Sequence, residues 1–292
     1  MENFDEPLAP TTPWTADPLT VMAVHAHPDD ESSSTGGVLA RYAAEGFRTV
    51  VVTCTNGELG DGPGHVKPDE PGHDPDAVAR TRLAELERAC EVLGVGHLEL
   101  LGYHDSGMPD WRHRHLEQVF CNVPLDVGAA RIVDVFEKYR PSVVITYDDN
   151  GGYSHPDHVH AHRITMAALE QTPIAAKLYL IARRRRDWDR LREHMLALGV
   201  EMPPRPVPDA DAEERSRLLE ERITTSVDIT AFAVQKRAAL AAHASQLDES
   251  WLLRIGESAF HEVFGSETFI RERDVTGAPL PETDLLAGLR IE

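Results

Sequence analysis

The chain has 292 residues, 41% of them hydrophobic and 27% charged, with a formal net charge of −20. This is long enough to bury a large core, as one domain or as a domain with a smaller appendage, and the composition is ordinary for a globular protein. The acidic balance excludes nucleic acid and anionic membrane surfaces as general partners, since both need clustered positive charge, and no run approaches the roughly 18 apolar residues of a membrane span.

Residues 1–18 are acidic and Pro-rich, without the basic start and apolar stretch of a signal peptide, and are expected to form a flexible lead. Leu19–Ala26 reads as a buried strand, Gly36–Ala44 as a helix stopped at Gly46, and Arg48–Thr55, rich in β-branched residues, as a second strand. The stretch from Asn56 to Asp76 is full of Gly, Pro, Asp and His, and connections this long are usually functional or mobile. A helix is predicted over Asp76–Leu93, ending at Gly94. A short strand follows at His97–Leu101, then a helix at Asp126–Tyr139 and a strand at Ser142–Tyr147. Asp157–Glu170 reads as a helix and Lys177–Ala182 as a strand. Beyond residue 182 the pattern changes. Arg183–Arg186 is read as a solvated basic run, or alternatively as a contact for an anionic substrate group, Pro203–Asp211 as a linker or excursion, and Ala212–Arg222 and Ala231–Ser245 as helices.

Alternating strands and helices imply an α/β, Rossmann-like fold with a mostly parallel sheet. Residues 19–182 are expected to form the catalytic domain and residues 183–292 a smaller α/β portion completing the fold and the substrate pocket. No G-x-G-x-x-G follows the first strand, which removes support for dinucleotide binding. Cys54, Cys90 and Cys121 form no C-x-x-C pair and are odd in number, so no disulfide framework or thiolate zinc site is indicated, and a cytoplasmic location is the simplest reading.

Open parallel sheets place their sites beyond the carboxyl ends of strands. Two of those ends carry His-Pro-Asp: His27-Pro28-Asp29-Asp30, and Tyr153-Ser154-His155-Pro156-Asp157-His158. His27 and Asp30 can converge across a strand-to-helix turn, and His155 and His158 share one helix face. Two histidines, one carboxylate and an open position make a known catalytic zinc arrangement, and only three of these groups need bind metal.

The motifs His27-Pro28-Asp29-Asp30-Glu31 and Tyr147-Asp148-Asp149-Asn150-Gly151-Gly152-Tyr153-Ser154-His155-Pro156-Asp157-His158 resemble those of the PIG-L or LmbE-like family of metal-dependent N-deacetylases. The likeness covers most of the first 180 residues, with Asp105-Ser106-Gly107, and continues faintly through Ala242-His243-Ala244-Ser245-Gln246. Within the family it is similar to the mycothiol enzymes, the N-acetylglucosaminyl-inositol deacetylase and the mycothiol S-conjugate amidase. Ser34 stands where the amidase is expected to carry Lys. The resemblance implies a hydrolase of the amide on the glucosamine nitrogen, acting on a small amino-sugar substrate, with zinc or alternatively iron(II) held by His27, Asp30 and His158. Asp29 is then the general base. His155 stabilises the oxyanion or protonates the leaving amine, Tyr153 is a second oxyanion contact, and Asp157 orients His155. Arg82 and Asp105 are the expected substrate contacts. His25 and His104 are expected to be supporting polar groups, and His162 is not counted among the ligands. Deacylation of another natural product and a zinc-bound sugar-binding module are the competing readings. No oligomeric state is indicated.

Overall fold

The computed structural model describes residues 18–172, 174–200, 210–247 and 251–290. The expected lead and most of the expected linker at Pro203–Asp211 lie outside these. The first half follows the β-branched runs and their punctuation. Strands β1 (Thr20–His25), β2 (Arg48–Thr55), β3 (His97–Tyr103), β4 (Val143–Thr146) and β5 (Lys177–Ala182) pair in parallel. Between them run helices α1 (Gly36–Ala44), α2 (Pro75–Leu93), α3 (Leu125–Tyr139), the one-turn α4 (Gly151–Ser154) and α5 (Pro156–Gln171). Asp74 caps α2 by accepting from the Ala77 N–H at 3.1 Å, Pro75 fits the first turn, and Gly94 closes the helix at φ +71°.

With two later strands, β6 (Thr225–Asp228) and β7 (Ser266–Asp274), the strand order is β3-β2-β1-β4-β5-β7-β6. From β1 the chain builds outward to β2 and β3, then returns to the other side for β4 and β5. The crevice between the ends of β1 and β4 is therefore the topological switch point, where open α/β sheets bind ligands. Strand residues alternate between two cores. Val21 and Ala23 face the layer of α1 and α2, while Met22 and Val24 face that of α3 and α5. Both faces are covered, as parallel sheets require.

The C-terminal region supplies the strands that an α/β portion needs, at positions the sequence reading did not assign. After α6 (Arg185–Ala197) and α7 (Ala210–Glu221), strand β6 (Thr225–Asp228) precedes α8 (Ala233–Ala242), and β7 (Ser266–Asp274) follows a helix at Glu257–Phe264. β7 pairs antiparallel with β5, and β6 antiparallel with β7, so one sheet runs through residues from both regions. The charged sequence of β7, SETFIRERD, hides its strand character. Lys177, Arg271, Tyr179 and Glu282 form a paired polar group beside it, which lets those charges lie within the fold.

The run Arg183–Arg186 is not uniformly solvated. It leaves β5 on the edge that carries the site, and Arg183 turns inward. Its guanidinium donates to Ser33 O at 2.8 Å and lies over the Trp188 ring, whereas Arg186 is exposed.

Candidate metal centre

β1 ends at His25, and the next turn carries His27 to Asp30 (a π-helical turn, Glu31–Thr35, then leads into α1). Single π-turns within helical segments often mark functional sites. Asp29 adopts φ +133°, a conformation that costs a non-glycine residue about 1–3 kcal/mol and must be held by its surroundings. From the other side of the switch point, β4 leads through Tyr147 to the Gly151-Gly152 turn and into α5. Gly151 sits at φ +63°, and a Cβ there would lie 2.8 Å from both His158 Cβ and Val159 N. Only glycine lets the turn press onto the helix that presents His158.

These two turns bring three candidate ligand atoms together. His27 Nδ1 lies 3.3 Å from Asp30 Oδ2 and 3.3 Å from His158 Nε2, and His158 Nε2 lies 3.5 Å from Asp30 Oδ2. A tetrahedral ion with bonds of about 2.0–2.1 Å needs ligands about 3.3–3.4 Å apart, so the spacing fits a small divalent cation. The outward nitrogens support the same assignment. His158 Nδ1 is 3.1 Å from Gly151 O, and His27 Nε2 is 3.2 Å from Asp157 Oδ2. A proton on each of these nitrogens leaves the lone pairs of His158 Nε2 and His27 Nδ1 facing the centre. Two other groupings are looser. Ring nitrogens of His27, His155 and His158 lie within 4.8 Å of one another, as do ligand atoms of His27, Asp105 and Asp157.

The protonation pattern of the metal-free cluster follows from burial and charge. Burial opposes a charged His27, but the carboxylates of Asp105, Asp157 and Asp30 outweigh it and hold its pKa well above the usual value. Asp30 is held well below the carboxylate range by His158 and His27, against the effect of burial. Burial lowers His158 to about 4, and burial with the neighbouring His27 and His158 lowers His155 to about 3. Burial raises Asp29 to about 6, with Arg82 pulling the other way.

His155 caps α5, its Nδ1 accepting the Asp157 N–H at 3.2 Å. Its ring packs against His27 and His158, with centroids 4.6 and 4.9 Å away. Tyr153 is 60% exposed on the rim, its ring 5.1 Å from that of His158. The Asp157 carboxylate does not face His155 as expected. It faces His27 and accepts from Ser106 N at 2.9 Å and from Ser106 Oγ. Asp105 is buried on the same side, 3.7 Å from His27 Nε2, and accepts from Gly107 N. Arg82, expected at the substrate, is buried and donates to Gly57 O, Pro28 O and Asp29 Oδ2 at 2.7, 2.7 and 3.0 Å. His25 pairs with Thr35 Oγ1, His104 with Glu58, and His162 with Tyr147 O.

Several residues escape a reading of the motifs alone. The Tyr147 hydroxyl donates to Asp30 Oδ2 at 2.7 Å, accepts from Ala26 N at 2.8 Å, and its ring stacks on His158 at 4.2 Å. Glu31 is fully buried, as is His243, and the two are joined at 2.7 Å. Lys236 bridges Ser33 O and Glu267, and Glu267 accepts the Gly37 and Val38 N–H groups at the start of α1. Of these, Tyr147, Glu31 and His243 lay within segments that the sequence resemblance picked out, but nothing in those segments assigned them a role, and Lys236 and Glu267 lay outside them.

The PIG-L family pattern, described as GlcNAc-PI de-N-acetylase, matches residues 22–169. A 1D-myo-inositol 2-acetamido-2-deoxy-alpha-D-glucopyranoside deacetylase of Acidothermus cellulolyticus is 39% identical, over 93% of this chain and 96% of its own. A mycothiol S-conjugate amidase of Streptomyces coelicolor is 35% identical, over 94% and 98% respectively. The solved N,N'-diacetylchitobiose deacetylase of Pyrococcus horikoshii shares the fold, with a TM-score of 0.57 and 20% identity over 90% of this chain and 87% of that one. The match across half the chain, together with relatives this similar along nearly all of it, places the chain in the PIG-L family.

Proposed function

We propose that this chain is a metal-dependent amidohydrolase that cleaves the amide on the 2-amino group of a glucosamine-containing substrate of the N-acetylglucosaminyl-inositol type. The observation that carries the reading is the near-tetrahedral spacing of His27, Asp30 and His158 beside a carboxylate, Asp29, that is not needed as a ligand. Zinc suits two imidazoles and one carboxylate, with iron(II) the alternative. The bound ion supplies Lewis acidity, lowering the pKa of a water toward about 7 and polarising the amide carbonyl.

The chain's own groups handle the protons. Asp29, raised to about 6 by burial, is ionised at neutral pH yet basic enough to accept a proton from the attacking water. Arg82 holds its carboxylate in place. As the C–N bond breaks, the nitrogen needs a proton, and protonated Asp29 is close enough in pKa to return it. His155 is neutral, and because its Nδ1 accepts a backbone N–H, its proton sits on Nε2. That N–H donates to the developing oxyanion, with Tyr153 at the rim as a second donor. The products are a carboxylate and a free amine. Asp105 and Asp157 orient His27 from behind. Cys54, Cys90 and Cys121 are free thiols, which suits the cytoplasm. None of the described helices is long and apolar enough to cross a membrane.

The test is a paired assay with zinc and with iron(II): acetate release from N-acetylglucosaminyl-inositol against cleavage of a mycothiol conjugate. Metal-dependent acetate release as the faster reaction supports the reading. Faster cleavage of the conjugate reassigns the acyl group, and turnover of neither overturns the substrate class.

A further inference from the structure

The buried pair Glu31–His243 belongs neither to the ligand set nor to the groups that move protons. Both side chains are inaccessible to solvent, and 212 positions separate them in sequence. Glu31 Oε1 accepts from His243 Nε2 at 2.7 Å and from Ser32 Oγ. Its other oxygen, Oε2, accepts the backbone N–H of Asp29 at 3.0 Å. Asp29 is the residue at φ +133°. Its carboxylate is gripped by Arg82 and its amide by Glu31, so its backbone and side chain are fixed from opposite sides.

His243 follows α8 and is itself anchored. The adjacent Ser245 donates to Glu85 through both N–H and Oγ, at 2.7 Å each, which ties the segment to α2. Gln246 exchanges hydrogen bonds with Asp61 at 3.0 Å in both directions, which ties it to the loop after β2. A buried glutamate with its donors removed would swing toward other partners or recruit water. Either response releases the Asp29 amide.

We infer that Glu31 and His243 are positioning residues for the catalytic base: His243, carried by the C-terminal region, fixes Glu31, and Glu31 locks the strained backbone that aims the Asp29 carboxylate. The inference rests on the reading of Asp29 as the base. It gives the C-terminal region a defined role at a centre whose ligands all come from the first 160 residues.

The experiment is a double-mutant cycle with metal-loaded protein, comparing His243→Ala, His243→Gln, Asp29→Ala and the double variant His243→Ala/Asp29→Ala. Metal content and a crystal structure of each single variant accompany the kinetics. Loss of a supporting partner is expected to lower kcat for His243→Ala by about 10–100-fold, with KM within about threefold and one metal per chain retained. His243→Gln keeps an N–H donor and is expected to recover most of the loss. Adding His243→Ala to Asp29→Ala is expected to change little, and the Asp29 backbone should relax from positive φ in the His243→Ala structure. Equal losses from His243→Ala in both backgrounds, or an unaltered Asp29 turn, overturn the positioning role while leaving the base assignment intact. Full activity of Asp29→Ala overturns the base assignment itself, and the inference with it. Should His243→Ala fail to fold, Glu31→Gln replaces it in the cycle, with the same outcomes.

Discussion

The Asp157 carboxylate stands behind His27, with Oδ2 3.2 Å from Nε2, while the opposite nitrogen of the same ring faces Asp30 and His158. Asp157 therefore sets the tautomer and the aim of a proposed metal ligand. It is itself held by Ser106 through both N–H and hydroxyl. Replacing Asp157 by Ala should weaken metal binding by about 10–100-fold, the usual effect of removing a partner behind a ligating histidine. Competition with a chromophoric chelator measures this directly, and unchanged affinity would show that the ring is oriented by other means.

Tyr147 offers a different test, since its hydroxyl links Asp30 to the Ala26 amide at the end of β1. Tyr147→Phe removes the acceptor of a buried N–H and one donor to Asp30. The metal-free protein should lose about 1–3 kcal/mol of stability, the range for a buried polar group left unpaired. Urea unfolding of both proteins, without metal, compares the midpoints. Coincident curves of equal slope would mean that the hydroxyl has no structural role.

The early strands and helices were legible because local chemistry and long-range packing agree there: β-branched runs such as Arg48–Thr55 lie inside the sheet, and Gly94, free of a side chain, closes α2 at positive φ. Two His-Pro-Asp turns at strand ends were likewise readable, because each is contiguous. The rest depends on pairings that spacing does not encode. β7 contains Glu267, Arg271, Glu272 and Arg273, and its place in the sheet is visible only once Lys236 and the first turn of α1 are seen to satisfy Glu267, and Glu282 to satisfy Arg271. The Glu31–His243 link spans most of the chain. Arg183, which turns toward the π-helical turn, was hidden in a run of four arginines.

The pH profile follows from the position of Arg82. Burial raises Asp29 to about 6, and the Arg82 guanidinium acts in the opposite direction. As the proposed base, Asp29 works only when ionised, so activity should fall as pH drops through its pKa. Arg82→Met removes the stabilising charge, raises the Asp29 pKa further, and should move the acidic limb of kcat/KM to higher pH than in the wild type. A limb that stays in place or moves down would separate Asp29 from the ionisation that controls activity.

Gly151→Ala probes the second turn. The new Cβ meets His158 Cβ and Val159 N at 2.8 Å on a backbone at φ +63°. Since Gly151 O also orients His158, the variant should lose about 1–3 kcal/mol of stability, as strained backbone positions do, together with metal affinity. Thermal unfolding with and without zinc reads both effects. Wild-type values in both conditions would remove the turn from the description of the site.

Anomalous diffraction at the zinc edge from crystals of the zinc-loaded protein locates the ion itself. One peak is expected, about 2.0–2.1 Å from His27 Nδ1, Asp30 Oδ2 and His158 Nε2, with Asp29 outside bonding distance. A peak on the far side of His27, between Asp105 and Asp157, or one bonded to His155 in place of Asp30, would contradict that placement.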